Sequence, residues 1–143
     1  MAGFTYTELK TAVQNYLDNT ETTFVNTLNT FIQTTEERIL KSVELPVFRK
    51  NVQGSATADV EYLQTPADFL SPYSLAVIDA SDNYTYLLLK HVSWIRDYTP
   101  ARATTGQPLY YALFDNDTFI LAPTPPSALS FELHYNYRPN SLT

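Results

Sequence analysis

The chain has 143 residues, 44% apolar and only 17% charged, a folding composition with enough surface to bury for one self-supporting core. Nine Lys and Arg against fifteen acidic residues give a formal charge of -6, which argues against a sequence-independent grip on phosphates, although an acidic surface can line a passage through which DNA slides. With no cysteine there is no disulfide, thiol nucleophile or thiolate metal site, and no stretch approaches the roughly 20 apolar residues that span a bilayer.

The N-terminal Met1-Ala2-Gly3-Phe4 leads into a polar amphipathic segment, so neither a cleaved secretion signal nor membrane insertion is expected. Thr5 followed by Glu8 has capping-box spacing. Leu9, Val13, Tyr16 and Leu17 then recur at helical spacing, which predicts a first helix from about Tyr6 to Asp18. Thr20 and Glu21 suit the opening of a second helix with an apolar face through Phe24, Leu28, Phe31, Ile32, Thr35 and Ile39. It should end near Val43, ahead of Pro46, and the break at Asp18-Asn19-Thr20 lets the two helices pack side by side.

After Leu45 the pattern changes to that of strands. Val47 to Val52 and Ala56 to Leu63 read as a hairpin around Gln53-Gly54-Ser55, with Gly54 supplying a permissive turn backbone. Pro66 to Leu70 suits a short helical turn. A second hairpin joins Leu75 to Ile78 with Tyr84 to Leu89, and the latter, apolar on both faces, reads as a central strand. Trp94, Ile95 and Tyr98 fit a short helix, and residues 100–106 a loop. Leu109 to Phe114 and Thr118 to Ala122 form a hairpin about Asp115-Asn116-Asp117. In the last strand Leu129, Phe131, Leu133, Tyr135 and Tyr137 face one way, and Glu132, His134, Asn136 and Arg138 the other. The expected class is therefore α+β: an N-terminal helical pair followed by a predominantly antiparallel β domain with short helices, all within one domain over 1–143.

No residues assemble into a recognisable catalytic, cofactor-binding or metal-binding set. Asp115 with Asp117, and Asp79 with Asp82, favour tight turns by bonding to nearby backbone more than they suggest a cation site. His91 and His134 are isolated in sequence, although His134 can sit near Glu132 on the polar face of the last strand. A hydrolase would need one of them clustered with carboxylates. The three glycines form neither a phosphate loop nor a dinucleotide fingerprint. Eleven tyrosines suit interfaces, because the ring buries while the hydroxyl stays hydrogen-bonded. Tyr110, Tyr111, Phe114, Glu132, His134 and Arg138 are the candidate interface residues. A carbohydrate- or peptide-binding module is the alternative, with Tyr84 and Tyr86 sharing one face.

The opening FTYTELKTAVQNYLDNTETTFVNTLNTFIQTTEERIL and the later PLYYALFDNDTFILAPTPPSALSFELHYNYRPNSLT resemble bacteriophage head-to-tail adaptor proteins of the neck or tubular-tail type. The most distinctive parts are YYALFDNDTFILAP and the strand entering FELHYNYRP. The resemblance implies a noncatalytic virion protein, without cofactor, at the head-to-tail junction. It would be assembled in the host cytoplasm and join the portal protein to neck or tail-tube and nozzle proteins, away from any membrane. It further implies a twelve-copy homo-oligomeric ring whose channel passes DNA without sequence-specific binding. Related adaptors usually continue past the position of Arg138 into helical sequence that contacts the portal. This sequence stops at Thr143, as a processed or truncated form or a shorter branch would.

Overall fold

A computed structural model describes residues 3–101 and 103–142, which divide into two units: 3–44 with 139–142, and Leu45–Arg138. In the first unit the expected capping box forms. The Thr5 hydroxyl accepts from the Glu8 N–H at 3.2 Å and the Glu8 carboxylate accepts from the Thr5 N–H at 2.8 Å, which starts α1 (Tyr6–Leu17). Asp18 turns into the left-handed region at φ 47° and ends it. The Asn19 side chain accepts from the Glu21 N–H at 2.9 Å, just before α2 (Thr22–Ser42). The Tyr6 hydroxyl donates to Asn29 Oδ1 and ties the helices together. Only Leu28 of the pair is buried.

The second unit begins with a single 3-10 turn, Pro46–Phe48, and continues through β1 (Arg49–Ala56), β2 (Tyr62–Gln64), β3 (Phe69–Ile78), β4 (Tyr84–Tyr86) and β5 (Leu88–Leu89). A short helix, α3 (Val92–Tyr98), precedes β6 (Tyr110–Leu113), β7 (Thr118–Ala122) and β8 (Leu129–Tyr137). The strands make two four-stranded sheets, β1-β8-β3-β4 and β2-β7-β6-β5, antiparallel except where β5 runs parallel to β6. Their inner faces share one core that includes Leu63, Leu75, Tyr111, Phe119, Phe131, Leu133 and Tyr135. On the outer face of the second sheet, Ile95 of α3 packs on Ala112, Ile120 and Ala122. β7 is buried along its whole length because successive side chains point alternately into the inner core and toward α3. The α+β class and the order of helices before sheets stand as expected.

Two strand assignments require correction. Residues 47–63 do not form a hairpin about Gly54. β1 runs straight through that glycine and pairs with β8, while β2 joins the other sheet. Gly54 has no positive φ, so turn geometry does not explain it. A Cβ there would meet the tip of the Phe131 ring at 2.6 Å; the ring covers the glycine, and close approach is what that position needs. Nor is 84–89 a central strand: it divides at the buried Leu87 into β4 on the edge of one sheet and β5 on the edge of the other. The apolar character on both its faces is therefore half exposed, at Tyr84, Tyr86, Leu88 and Leu89. Pro66 to Phe69 makes a turn closed by one hydrogen bond and no helix.

Candidate assembly surfaces

β8 lies between β1 and β3, so both its edges are already paired and only its faces remain for contacts. Its alternation is as predicted: Phe131, Leu133 and Tyr135 enter the core, and Glu132 and His134 face outward. Outside, the Glu132 carboxylate lies 2.9 Å from His134 Nε2 and accepts from Gln53 Nε2 at 3.0 Å. Those bonds, Gln53 first, lower the Glu132 pKa. The Tyr84 hydroxyl approaches the same carboxylate at 3.5 Å, which raises the Tyr84 pKa through the nearby negative charge. Asn136, predicted on this polar face, is buried and donates to Ser71 Oγ at 2.9 Å. Arg138 is exposed just beyond β8, and its N–H donates to the Asp68 carbonyl at 2.7 Å.

The other candidate interface residues lie on the second sheet. Tyr110 and Tyr111 point oppositely, as their adjacent places on a strand require. Tyr111 is 3% exposed and meets Phe119 edge-on within the core, so its ring lines no free surface of the subunit. Tyr110 packs edge-on against Trp94 at 4.6 Å and Tyr98 at 5.0 Å, two rings that stack on each other. Phe114 is half exposed beside Tyr62 at 5.1 Å. The six residues thus fall into four places: Glu132 with His134 on one outer face, Tyr110 and Phe114 on the other, Tyr111 inside, and Arg138 exposed just past the end of β8.

The acidic pairs perform the turn chemistry expected of them. Asp79 Oδ1 accepts from the Ser81 and Asn83 N–H groups at 2.7 and 3.0 Å, and Asp115 Oδ1 from the Asp117 N–H at 3.1 Å. His91 caps α3 by accepting from the Ser93 N–H at 3.2 Å, a role that its spacing from other residues did not reveal. Among the described residues no group of three or more His, Asp or Glu is placed to hold a metal ion. No described helix is long and apolar enough to cross a membrane.

Toward the C-terminal end of β8, Asp68 accepts from Lys50 Nζ at 2.6 Å and from the Tyr135 hydroxyl at 2.8 Å. Lys50 leads in holding the Asp68 pKa low. Burial, reinforced by the Asp68 charge, pushes the Tyr135 pKa up to about 12.

A broad apolar surface belongs to the helical unit. The predicted faces of α1 and α2 converge on a groove of about 560 Å³ lined by Leu9, Val13, Phe24, Leu28, Phe31 and Ile39. Phe31 remains 54% exposed and Ile39 49%. Leu142 also lines the groove, beside Glu36, a contact for which residues 139–142 carry no periodic signal in sequence.

Residues 4–143 match the family model described as SU10 adaptor protein. No curated protein sequence matches the chain at a significant level. The family assignment covers the helical pair, both sheets and the 139–142 segment alike. The chain therefore belongs to the SU10 adaptor family, a bacteriophage head-to-tail adaptor family, and is a structural component of the virion.

Proposed function

We propose that the subunit joins the portal to neck or tail-tube and nozzle proteins as one copy of a twelve-copy ring that extends the DNA channel. Assembly takes place in the host cytoplasm, and residues 1–143 act as a single adaptor domain. The observation that carries this reading is the groove on the helical pair. Two helices with one buried residue between them hold little core of their own, and Phe31 and Ile39 leave apolar area open to water. Covering the exposed half of one such side chain contributes roughly 1 kcal/mol. A patch of this kind meeting a different surface on the next copy repeats until rotation closes the ring.

Polar groups around the sheets set register. Glu132, His134 and Arg138 are partly or wholly accessible, and rim charges of this kind govern partner choice and encounter rate more than affinity. The formal charge of -6 keeps a channel wall from holding DNA, so DNA passes without sequence-specific binding.

The test is co-purification of the full chain with the cognate portal, followed by native mass measurement and electron microscopy. A closed ring on the portal is expected, with Phe31→Asp abolishing it while leaving the sandwich folded. A full-length chain that stays monomeric and does not bind the portal overturns the reading.

A further inference from the structure

The groove on the helical pair is not left entirely open, because Leu142 of the same chain lines it and Ser141 and Leu142 bond to Glu36 in its wall. Glu36, on α2, accepts from the Ser141 hydroxyl at 2.7 Å through Oε2 and from the Leu142 backbone N–H at 3.1 Å through Oε1. Both carboxylate oxygens are thus engaged by consecutive residues. Leu142 is placed at the groove wall that also holds Ile32, Thr35 and Ile39. A charged acceptor binding one backbone and one side-chain donor fixes the direction and register of an extended segment, and the leucine adds apolar contact.

We propose that residues 139–142 form an intramolecular strap, latched by Glu36, that covers part of the helical groove in the free subunit and is displaced when the groove takes the next copy of this chain as the ring forms on the portal. Displacement rests on the assembly reading above; the latch stands on the contacts alone. Leu142 is 60% exposed and both latch bonds lie at the surface, so the strap is weakly held and opens readily. A weak cover of this kind shields part of the apolar surface before assembly without preventing it.

The experiment compares wild type with Glu36→Ala, Ser141→Ala and the control Glu37→Ala in the full chain. It reads hydrogen exchange at the Leu142 amide, fluorescence of anilinonaphthalene sulfonate bound to the groove, and the portal concentration needed for half-maximal co-assembly. Loss of both latch bonds should speed Leu142 exchange roughly fivefold, and loss of the Ser141 bond alone about twofold. Dye fluorescence should rise with Glu36→Ala and fall when Phe31→Asp is added. Half-maximal co-assembly should move to several-fold lower portal concentration, with Glu37→Ala matching wild type throughout. Unchanged exchange in Glu36→Ala overturns the latch. Faster exchange with unchanged dye binding and unchanged co-assembly overturns the strap as a cover. A wild-type chain that never co-assembles overturns displacement together with the assembly reading, while exchange and dye binding still decide the latch.

Discussion

Replacing Gly54 with Ala tests how the first sheet packs. A Cβ at this position would lie 2.6 Å from Phe131 Cζ and 3.1 and 3.3 Å from the two flanking ring carbons, closer than an aromatic ring in a packed core tolerates. Phe131 is 8% exposed, so the ring can retreat only into the residues it packs against. Overpacking of this kind costs about 1–3 kcal/mol, offset by the ~0.5–1 kcal/mol gained by removing glycine from a strand interior. The 2.6 Å approach to a buried ring puts the overpacking cost in the upper part of that range, so the net expectation is a loss of about 1–2 kcal/mol. Phe131→Leu shortens the side chain at the point of collision and alone costs about 1 kcal/mol. Together the two changes should cost less than their sum by at least ~1 kcal/mol. Urea unfolding followed by the fluorescence of Trp94, the one tryptophan and part of the same unit, gives all four corners of the cycle. Gly54→Ala within about 0.5 kcal/mol of wild type, or additivity with Phe131→Leu to that margin, refutes the reasoning.

Leu133→Ala should cost about 2–5 kcal/mol in the same assay, because Leu133 is 1% exposed on the central strand; Leu88→Ala, on an exposed edge, should cost less than ~0.5 kcal/mol. The Tyr135 hydroxyl sets an alkaline limit. Its folded pKa of about 12 exceeds the ordinary tyrosine value, so its contribution is complete below about pH 10 and is lost as pH rises toward 12, a change of up to about 2–3 kcal/mol. Asp68 acts in the opposite direction: its pKa is depressed, so its contribution is present above about pH 4 and is lost on further acidification. Urea midpoints measured across pH should show both losses, and Tyr135→Phe should flatten the alkaline one.

How much was legible in the sequence follows from the range of the forces involved. Capping at Thr5 and Glu8, the apolar stripe of α2 and the alternation of β8 are local, and all three formed where the residues placed them. Gly54 looks like a turn residue in sequence because a glycine required by a ring 77 positions later leaves the same local trace as a glycine required by a turn. Tyr84 to Leu89 looks like a central strand for a related reason. Apolar character on both faces usually signals burial on both, yet here the run crosses from one sheet to the other at Leu87 and leaves its flanks on two edges. The surface residues were harder still: strand phase separates Tyr110 from Tyr111, but nothing in that phase says which of them enters the core.

The same distinction shifts the weight of the assembly argument from the last strand to the helices. β8 carries the sharpest pattern in the sequence, and its regularity serves a central strand whose backbone groups and apolar face are used within the subunit. Edge-to-edge pairing through it is therefore closed. The first two helices show a less regular pattern but leave it unanswered inside their own unit, with Phe31 and Ile39 half in water and Leu28 alone enclosed. An apolar stripe gains stability from whatever covers it, and in the proposed ring that cover would be another subunit. In the proposed ring the polar contacts around Glu132 would act on register, because a carboxylate shared by Gln53, His134 and Tyr84 on an outward sheet face supplies direction more than adhesion.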